Sequence, residues 1–195
     1  MALFADLVKA FCCLPGVGQK SAQRMSLHLL ERDRTGANKL AQTLKLAMDK
    51  IGHCTSCRNF TEDKLCDICK NHKRDAGTIC IVETPADVLA IESSASFTGK
   101  YFVLMGNLSP IDGLGPDELG LDILAQKLKE DDIAEIILAT NTTIEGEVTA
   151  EYIRELARPY AIKVSRIAYG VPLDGELGFV DHGTISHAIA DRKAY

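Results

Sequence analysis

No stretch of this 195-residue chain approaches the ~20 consecutive apolar residues that a membrane-spanning helix needs. The opening residues, MALFADLVKAFCCLPG, carry no basic leader, and Asp6 and Lys9 interrupt their apolar positions, which argues against a secretory signal. There is no internal repeat and no low-complexity tract. These absences set the expectation of a cytoplasmic protein without a membrane role. What remains is an ordinary globular composition, 46% hydrophobic and 25% charged, long enough for one domain or two small ones.

The net charge of −5 hides an asymmetry. Residues 1–77 carry 13 Lys/Arg against 8 Asp/Glu, a balance of +5, whereas residues 78–195 carry 9 against 19, a balance of −10. A basic front half suits a polyanionic partner, and an acidic back half suits a metal or a basic partner protein. Solvated surfaces would give the same asymmetry, so charge alone does not decide.

The pattern of apolar residues changes along the chain. Leu3, Phe4, Leu7, Val8 and Phe11 share one helical face, which Pro15, Gly16 and Gly18 end. A second helix is expected from about Gln19 to Glu31. Gly36 reads as a break, and a third helix is expected from Leu40 to Ile51. Residues 1–52 therefore form a helical domain. Residues 53–73 are a cysteine-rich segment too poor in apolar residues to build a core. From residue 78 strands alternate with helices: TICIVE, PADVLAIES, YFVLMG, LDILAQKLKE, IAEIILAT, GEVTAEYIRELARPY and IKVSRIAYG. Such alternation implies βαβ units and a mostly parallel sheet over residues 78–171. Residues 172–195 form a Gly-rich tail ending in a weakly apolar helix, a candidate subunit contact. The overall class is a multi-part α+β chain.

Of the seven cysteines, four form C-x2-C-x8-C-x2-C: Cys54, Cys57, Cys66 and Cys69. Each C-x2-C lets two thiolates reach one ion, and two pairs complete the tetrahedral shell that Zn²⁺ favours. Disulfides are disfavoured by the expected compartment, and chance by the spacing. With all four positions filled by protein, the ion has a structural role, one Zn²⁺ per chain. His53 and His72 read as solvated neighbours. Cys12, Cys13 and Cys80 read as buried apolar residues.

Two further stretches carry chemistry. In LPGVGQKSAQR, Gly16 and Gly18 leave backbone N–H groups uncovered at the start of a helix, and Lys20 and Arg24 lie four apart beside them. This is a phosphate cradle that would hold a backbone without reading bases. It is equally a tight turn between packed helices, and the spacing does not separate the two. In EIILATNTTIEGE, a buried strand stops at Thr140-Asn141, and Glu145 and Glu147 follow. Carboxylates at such a strand end are where an α/β fold would hold Mg²⁺, yet Asn141, Thr142 and Thr143 carry no charge.

Taken in order, LPGVGQKSAQR, the four-cysteine motif, ICIVETPADVLAIE, YFVLMGNLSPIDGLGP and ILATNTTIEGEVTAEYI resemble the RecR family of bacterial recombination mediators over almost the whole chain. The resemblance implies a helix-hairpin-helix that binds single- and double-stranded DNA without sequence preference. It implies a Toprim domain, and a homo-oligomer, a dimer or a tetramer ring, that acts with RecO and RecF to load RecA in gap repair. Catalytic Toprim domains end their first strand in a glutamate, matched here by Glu83, and carry D-x-D-x-E after a later strand. In this chain Asn141 and Thr143 stand at the two aspartate positions, and Glu145 and Glu147 are retained. Losing two formal charges weakens a Mg²⁺ site of the kind phosphoryl transfer uses. Tyr101, Tyr152, Tyr160, Tyr169 and Tyr195 are the possible nucleophiles, and none has a motif around it. The expectation is a non-enzyme in which Glu83, Glu145 and Glu147 form an acidic patch for a basic partner. A metal-dependent Toprim nuclease or primase-like enzyme is the alternative, and a zinc adaptor without a DNA role is the third reading.

Overall fold

The structure is a computed structural model and describes every residue except Tyr169, Leu173, Asp174, Asp191 and residues 193–195. The chain divides into two compact units, Met1–Ile51 and Gly52–Tyr195.

The first unit is three helices: α1 (Ala2–Phe11), α2 (Gln19–Glu31) and α3 (Arg34–Lys50). The periodicity places α1 and α2 correctly, but Gly36 does not break α3. It occupies the first turn, where its N–H donates to Asp33 Oδ1 at 2.7 Å. Asp33 is the N-cap, and a Cβ at position 36 would strike its carboxylate, so glycine here admits a cap and the helix runs on. Cys12 and Cys13, expected to be buried, are exposed. The helix ends at Phe11, and both cysteines lie in the turn beyond it.

The second unit opens with a short antiparallel hairpin of β1 (Gly52–His53) and β2 (Phe60–Thr61), followed by the single turn α4 (Asp67–Lys70). Then come β3 (Thr78–Val82), α5 (Pro85–Ser93), β4 (Lys100–Val103), α6 (Leu121–Glu130), β5 (Glu135–Ala139), α7 (Ile144–Ala157) and β6 (Lys163–Arg166). A 3₁₀ turn at Leu177–Phe179 and α8 (His182–Ala190) close the described chain. The expected strand over 162–170 is shorter than its apolar pattern, and Tyr169 within it lies outside the described residues.

All four long strands are parallel, in the order β4-β3-β5-β6. The chain therefore leaves β3 toward one edge and returns on its other side to form β5. In an open parallel sheet this reversal opens a crevice at the carboxyl ends of the two strands, where such folds hold ligands. Both faces are covered, as a parallel sheet requires. Ile79, Ile81, Phe102, Leu104, Ile136 and Leu138 pack with Leu124 and Leu128 of α6 and Ile153 of α7. Cys80, Val82, Tyr101 and Val103 pack on the opposite face with Val88 and Ile91 of α5.

A partly buried polar cluster ties the entry of the sheet to α5. The Tyr101 hydroxyl donates to Glu92 Oε1 at 2.7 Å, and the Arg74 guanidinium donates to the same carboxylate at 2.9 Å and to the Phe97 carbonyl at 3.1 Å. Arg74 holds the Glu92 carboxyl below its ordinary range, while burial, aided by Glu92, pushes the Tyr101 phenol up. Among the described residues no helix is long and apolar enough to cross a membrane.

A buried strand residue and an exposed helix residue give a contrast to measure. Ile136 is fully buried and Leu89 is 69% exposed. Ile136→Ala should cost about 2–5 kcal/mol in urea unfolding, because a cavity is added to the lost transfer energy. Leu89→Ala should stay within about 0.5 kcal/mol of wild type.

Candidate functional site

The four cysteines that sequence spacing singles out converge. The sulfur atoms of Cys54, Cys57, Cys66 and Cys69 all lie within 4.8 Å of one another, and the first three side chains are buried. Tetrahedral Zn–S bonds of about 2.3 Å put neighbouring sulfurs roughly 3.8 Å apart, so the cluster is of the right size. The local fold explains the convergence. Arg58 N–H donates to the Cys54 carbonyl at 2.9 Å and Cys54 N–H to the Asn59 carbonyl at 2.8 Å, closing a tight turn around the first pair. The second pair spans the start of α4, and Cys66 N–H donates to Cys54 Sγ at 3.3 Å.

Four thiols this close cannot all ionise without a cation. Hydrogen bonding from Cys57 first, and from Cys66 and Ser56, pushes the Cys69 thiol down to about 5, while Cys57 is pushed up by that same bond and by burial. A cluster that concentrates thiolate character among buried sulfurs is a metal site by its donor chemistry. His53 is exposed and uses Nδ1 to meet the Arg58 carbonyl at 3.0 Å; neither it nor His72 joins the cluster. Cys80 is buried on the sheet face, as expected, and burial raises its thiol to about 12.

The second constellation lies in the crevice at the ends of β3 and β5. Glu83 follows β3 directly and is only 3% exposed. Its carboxylate accepts from the Asn141 backbone N–H at 2.8 Å, from Asn141 Nδ2 at 2.6 Å and from Asn107 Nδ2 at 3.3 Å. Asn141 stands where an aspartate would supply a metal ligand, and it supplies hydrogen-bond donors instead. Thr143, at the second such position, is the N-cap of α7 and accepts from Gly146 N–H at 3.1 Å. Gly146 rests so closely on the Asn141 carbonyl that a Cβ would collide with it.

Arg166, at the end of β6, closes the arrangement. Its guanidinium donates to the Asn141 carbonyl at 3.1 Å and to Thr140 Oγ1 at 3.3 Å, and it pairs with the Glu147 carboxylate. Of the three glutamates expected to form an acidic patch, Glu83 thus lies inside the fold and presents no contact surface. Glu145 and Glu147, in the first turn of α7, are exposed, and Glu147 carries the Arg166 pair. Acidic residues there favour the helix start electrostatically.

Sequence reasoning did not find Arg166, Asn107 or Arg58. A polar residue at the carboxyl end of a parallel strand was the available signal for the first two. Tyr101 is committed to Glu92, Tyr152 and Tyr160 are about 40% exposed, and Tyr169 and Tyr195 lie outside the described residues.

The third constellation is in the helical unit. Gly16 takes φ +75°, a left-handed conformation that glycine adopts without strain, and it turns the chain from α1 into α2. Gly18 is the N-cap of α2 and offers no side chain to the first N–H groups. Nothing lies within 4 Å of where a Cβ would stand on either glycine, so the backbone here is open. Lys20 and Arg24 are exposed and one turn apart on α2.

With these geometries in place, comparison with known families is decisive. Family models match in an unbroken order: RecR helix-hairpin-helix over residues 4–48, the RecR four-cysteine zinc finger domain over 51–71, Toprim domain over 77–168 and RecR C-terminal over 170–193. The chain belongs to the RecR family. The RecR zinc finger match covers all four clustered cysteines and implies that the metal they hold is zinc. The Toprim match covers the β3–β5 crevice, and the RecR helix-hairpin-helix match covers Gly16 to Arg24.

Freshly purified, reduced protein should carry about one Zn²⁺ per chain, the content of a single four-cysteine site. Elemental analysis checks this, and Cys57→Ser should lose most of the metal. Metal-free protein that is fully folded would overturn the assignment.

Proposed function

We propose that this RecR-family chain is a non-enzymatic DNA-binding recombination mediator. Its four family domains support the mediator role. The observation that carries the non-enzymatic part is the occupied strand end. Both oxygens of Glu83 are already taken by Asn141, with Asn107 adding a third donor, and Arg166 pairs with Glu147. A Mg²⁺ centre needs oxygen ligands free to coordinate, and here those oxygens face N–H groups. Of the three glutamates, Glu145 is the one that keeps an exposed carboxylate outside these contacts.

The helical unit supplies the DNA contact. The Val17 N–H is held by the Leu14 carbonyl at 3.1 Å, so the first-turn N–H groups of α2 beyond the uncapped Gly18, with the charges of Lys20 and Arg24, are what suit the phosphates of a backbone, single- or double-stranded, without base readout. The finer assignments are that RecO and RecF are the protein partners and that the outcome is RecA loading on single-stranded gaps. Glu145 and Glu147 form the acidic surface offered to a basic partner, with Glu83 behind them as a buried support.

Homo-oligomer formation is part of the same reading. Helix α3 buries none of its residues, and Leu40, Leu44, Leu46 and Met48 are all more than half exposed. Leu177, Phe179 and Ile189 in the tail are likewise exposed. Apolar surface on this scale is a mark of association.

Two experiments test the reading. DNA affinity should fall steeply with salt, and Lys20→Ala/Arg24→Ala should weaken binding to all sequences and lower the salt slope by about 2, roughly one per lost phosphate contact. Fluorescence anisotropy at several salt concentrations measures it, and an unchanged slope counts decisively against the hairpin. Incubation with Mg²⁺ or Mn²⁺ should give no cleavage or synthesis; metal-dependent cleavage that disappears in Glu83→Gln protein would establish the Toprim-enzyme alternative instead.

A further inference from the structure

Arg58 follows the first C-x2-C pair and has no role in the DNA or partner surfaces described above. Its backbone belongs to the metal knuckle. The N–H donates to the Cys54 carbonyl at 2.9 Å, and the carbonyl meets His53 Nδ1 at 3.0 Å. Between those anchors the residue takes φ +63°, a conformation that a side chain disfavours and that the closed turn imposes.

The side chain belongs to a different part of the unit. Its guanidinium donates to the carbonyls of Leu104 at 3.2 Å, Glu118 at 3.0 Å and Leu119, and it lies 6.0 Å from the centre of the Phe102 ring. Leu104 and Leu119 are fully buried. They are the first and nearly the last residues of the long connection between β4 and α6, so one planar cation gathers both ends of that loop. The fit is close enough that a Cβ on Gly120 would strike the guanidinium, and Gly120 takes φ +66°. A five-donor fork suits three carbonyls in a way that an ammonium does not.

The same loop reaches the strand-end site. Gly106 N–H donates to the Glu83 carbonyl at 3.0 Å, Asn107 Nδ2 to the Glu83 carboxylate at 3.3 Å, and Leu108 N–H to Thr149 Oγ1 of α7 at 2.9 Å. A continuous set of contacts therefore runs from the Cys54–Cys57 turn through Arg58 to the loop and on to Glu83. The knuckle also meets the sheet edge directly, where Val103 N–H donates to the Cys57 carbonyl at 2.9 Å.

We propose that Arg58 is a positioning residue through which metal loading of the four-cysteine knuckle orders the 104–120 loop and, with it, the Glu83 site. With the four thiolates held on one ion, the turn fixes the Arg58 backbone and keeps its guanidinium on the three carbonyls. Without the ion, the four sulfurs no longer tie the turn shut, and only its hydrogen bonds remain to hold the disfavoured left-handed conformation. The guanidinium then leaves the carbonyls, and the loop loosens at Asn107 and Leu108. The inference concerns loop order, which is read without any partner, so its failure is distinguishable from failure of the docking surface proposed above.

Hydrogen–deuterium exchange by mass spectrometry on the full chain tests it in a cycle of four samples: wild type and Arg58→Ala, each with zinc and after chelation. Arg58→Ala should keep about one zinc per chain, the content of an intact four-cysteine site. Exchange over 104–120 should rise by about tenfold or more, the factor expected when a charge-assisted hydrogen bond is lost. Peptides covering β3 and β5 should keep wild-type protection. Chelation of wild type should raise exchange over 104–120 by at least as much, and chelation of Arg58→Ala should add little there, since coupled perturbations do not sum. Arg58→Lys should fall between the two. Wild-type loop protection in zinc-loaded Arg58→Ala, no response of the wild-type loop to chelation, or equal chelation effects with and without Arg58 would each overturn the proposal. Should Arg58→Ala fail to fold, Arg58→Lys takes its place in the same cycle with the same criteria.

Discussion

A carboxylate buried at the end of a central strand cannot be left unsatisfied, and most of the second unit can be understood from how Glu83 is satisfied. Removing an ionised carboxylate from water is costly unless charge or hydrogen bonds replace the lost hydration. Position 141 decides which replacement is used. An aspartate there would set a second carboxylate within hydrogen-bond distance of the first, and two such groups remain ionised together only with a cation between them. Asparagine reverses the requirement. Its side-chain and backbone N–H groups both donate to Glu83 and replace the hydration that burial removes.

The neighbouring changes follow the same logic. With donors in place of a ligand at position 141, the residue two positions on is free to serve the helix, and Thr143 caps α7. The start of α7 can then approach the strand end closely, which is why Gly146 must lack a side chain above the Asn141 carbonyl. Arg166 brings a positive charge to the carbonyls of Thr140 and Asn141 and to Glu147.

How much of this was legible in the sequence depended on the range of the contacts. The apolar pattern placed α5 and α6 at their observed bounds, and the structure shows why α5 starts where it does: Thr84 and Asp87 form a complete capping box flanking Pro85. The metal site was legible because both cysteine pairs are local in sequence. Gly36 was misread because its N-cap partner, Asp33, outweighed the intrinsic cost of glycine in a helix. The burial of Glu83 was hidden, since its donors lie 58 and 24 residues away. Arg58 was hidden for the same reason, with acceptors 46 to 61 residues distant. Nothing in a periodicity of 2 or 3.6 marks a charged side chain that will be spent on backbone carbonyls.

The small metal module also solves a problem for the sheet. β4 is an edge strand, and an edge of a parallel sheet exposes unpaired N–H and C=O groups that invite association. The knuckle covers that edge through the Val103–Cys57 bond, and Ile68 of α4 packs at once against the cysteine cluster and against the Cys80–Val103 face. The module has few apolar residues, so its sulfurs with Leu65 and Ile68 are its core. The sheet, in turn, would have an open edge without it. Each part is therefore incomplete alone: the turn that carries Cys57 also supplies the carbonyl that satisfies Val103 N–H at the sheet edge, and the Arg58 side chain that follows it reaches the carbonyls at both ends of the loop that carries Asn107 to the buried Glu83.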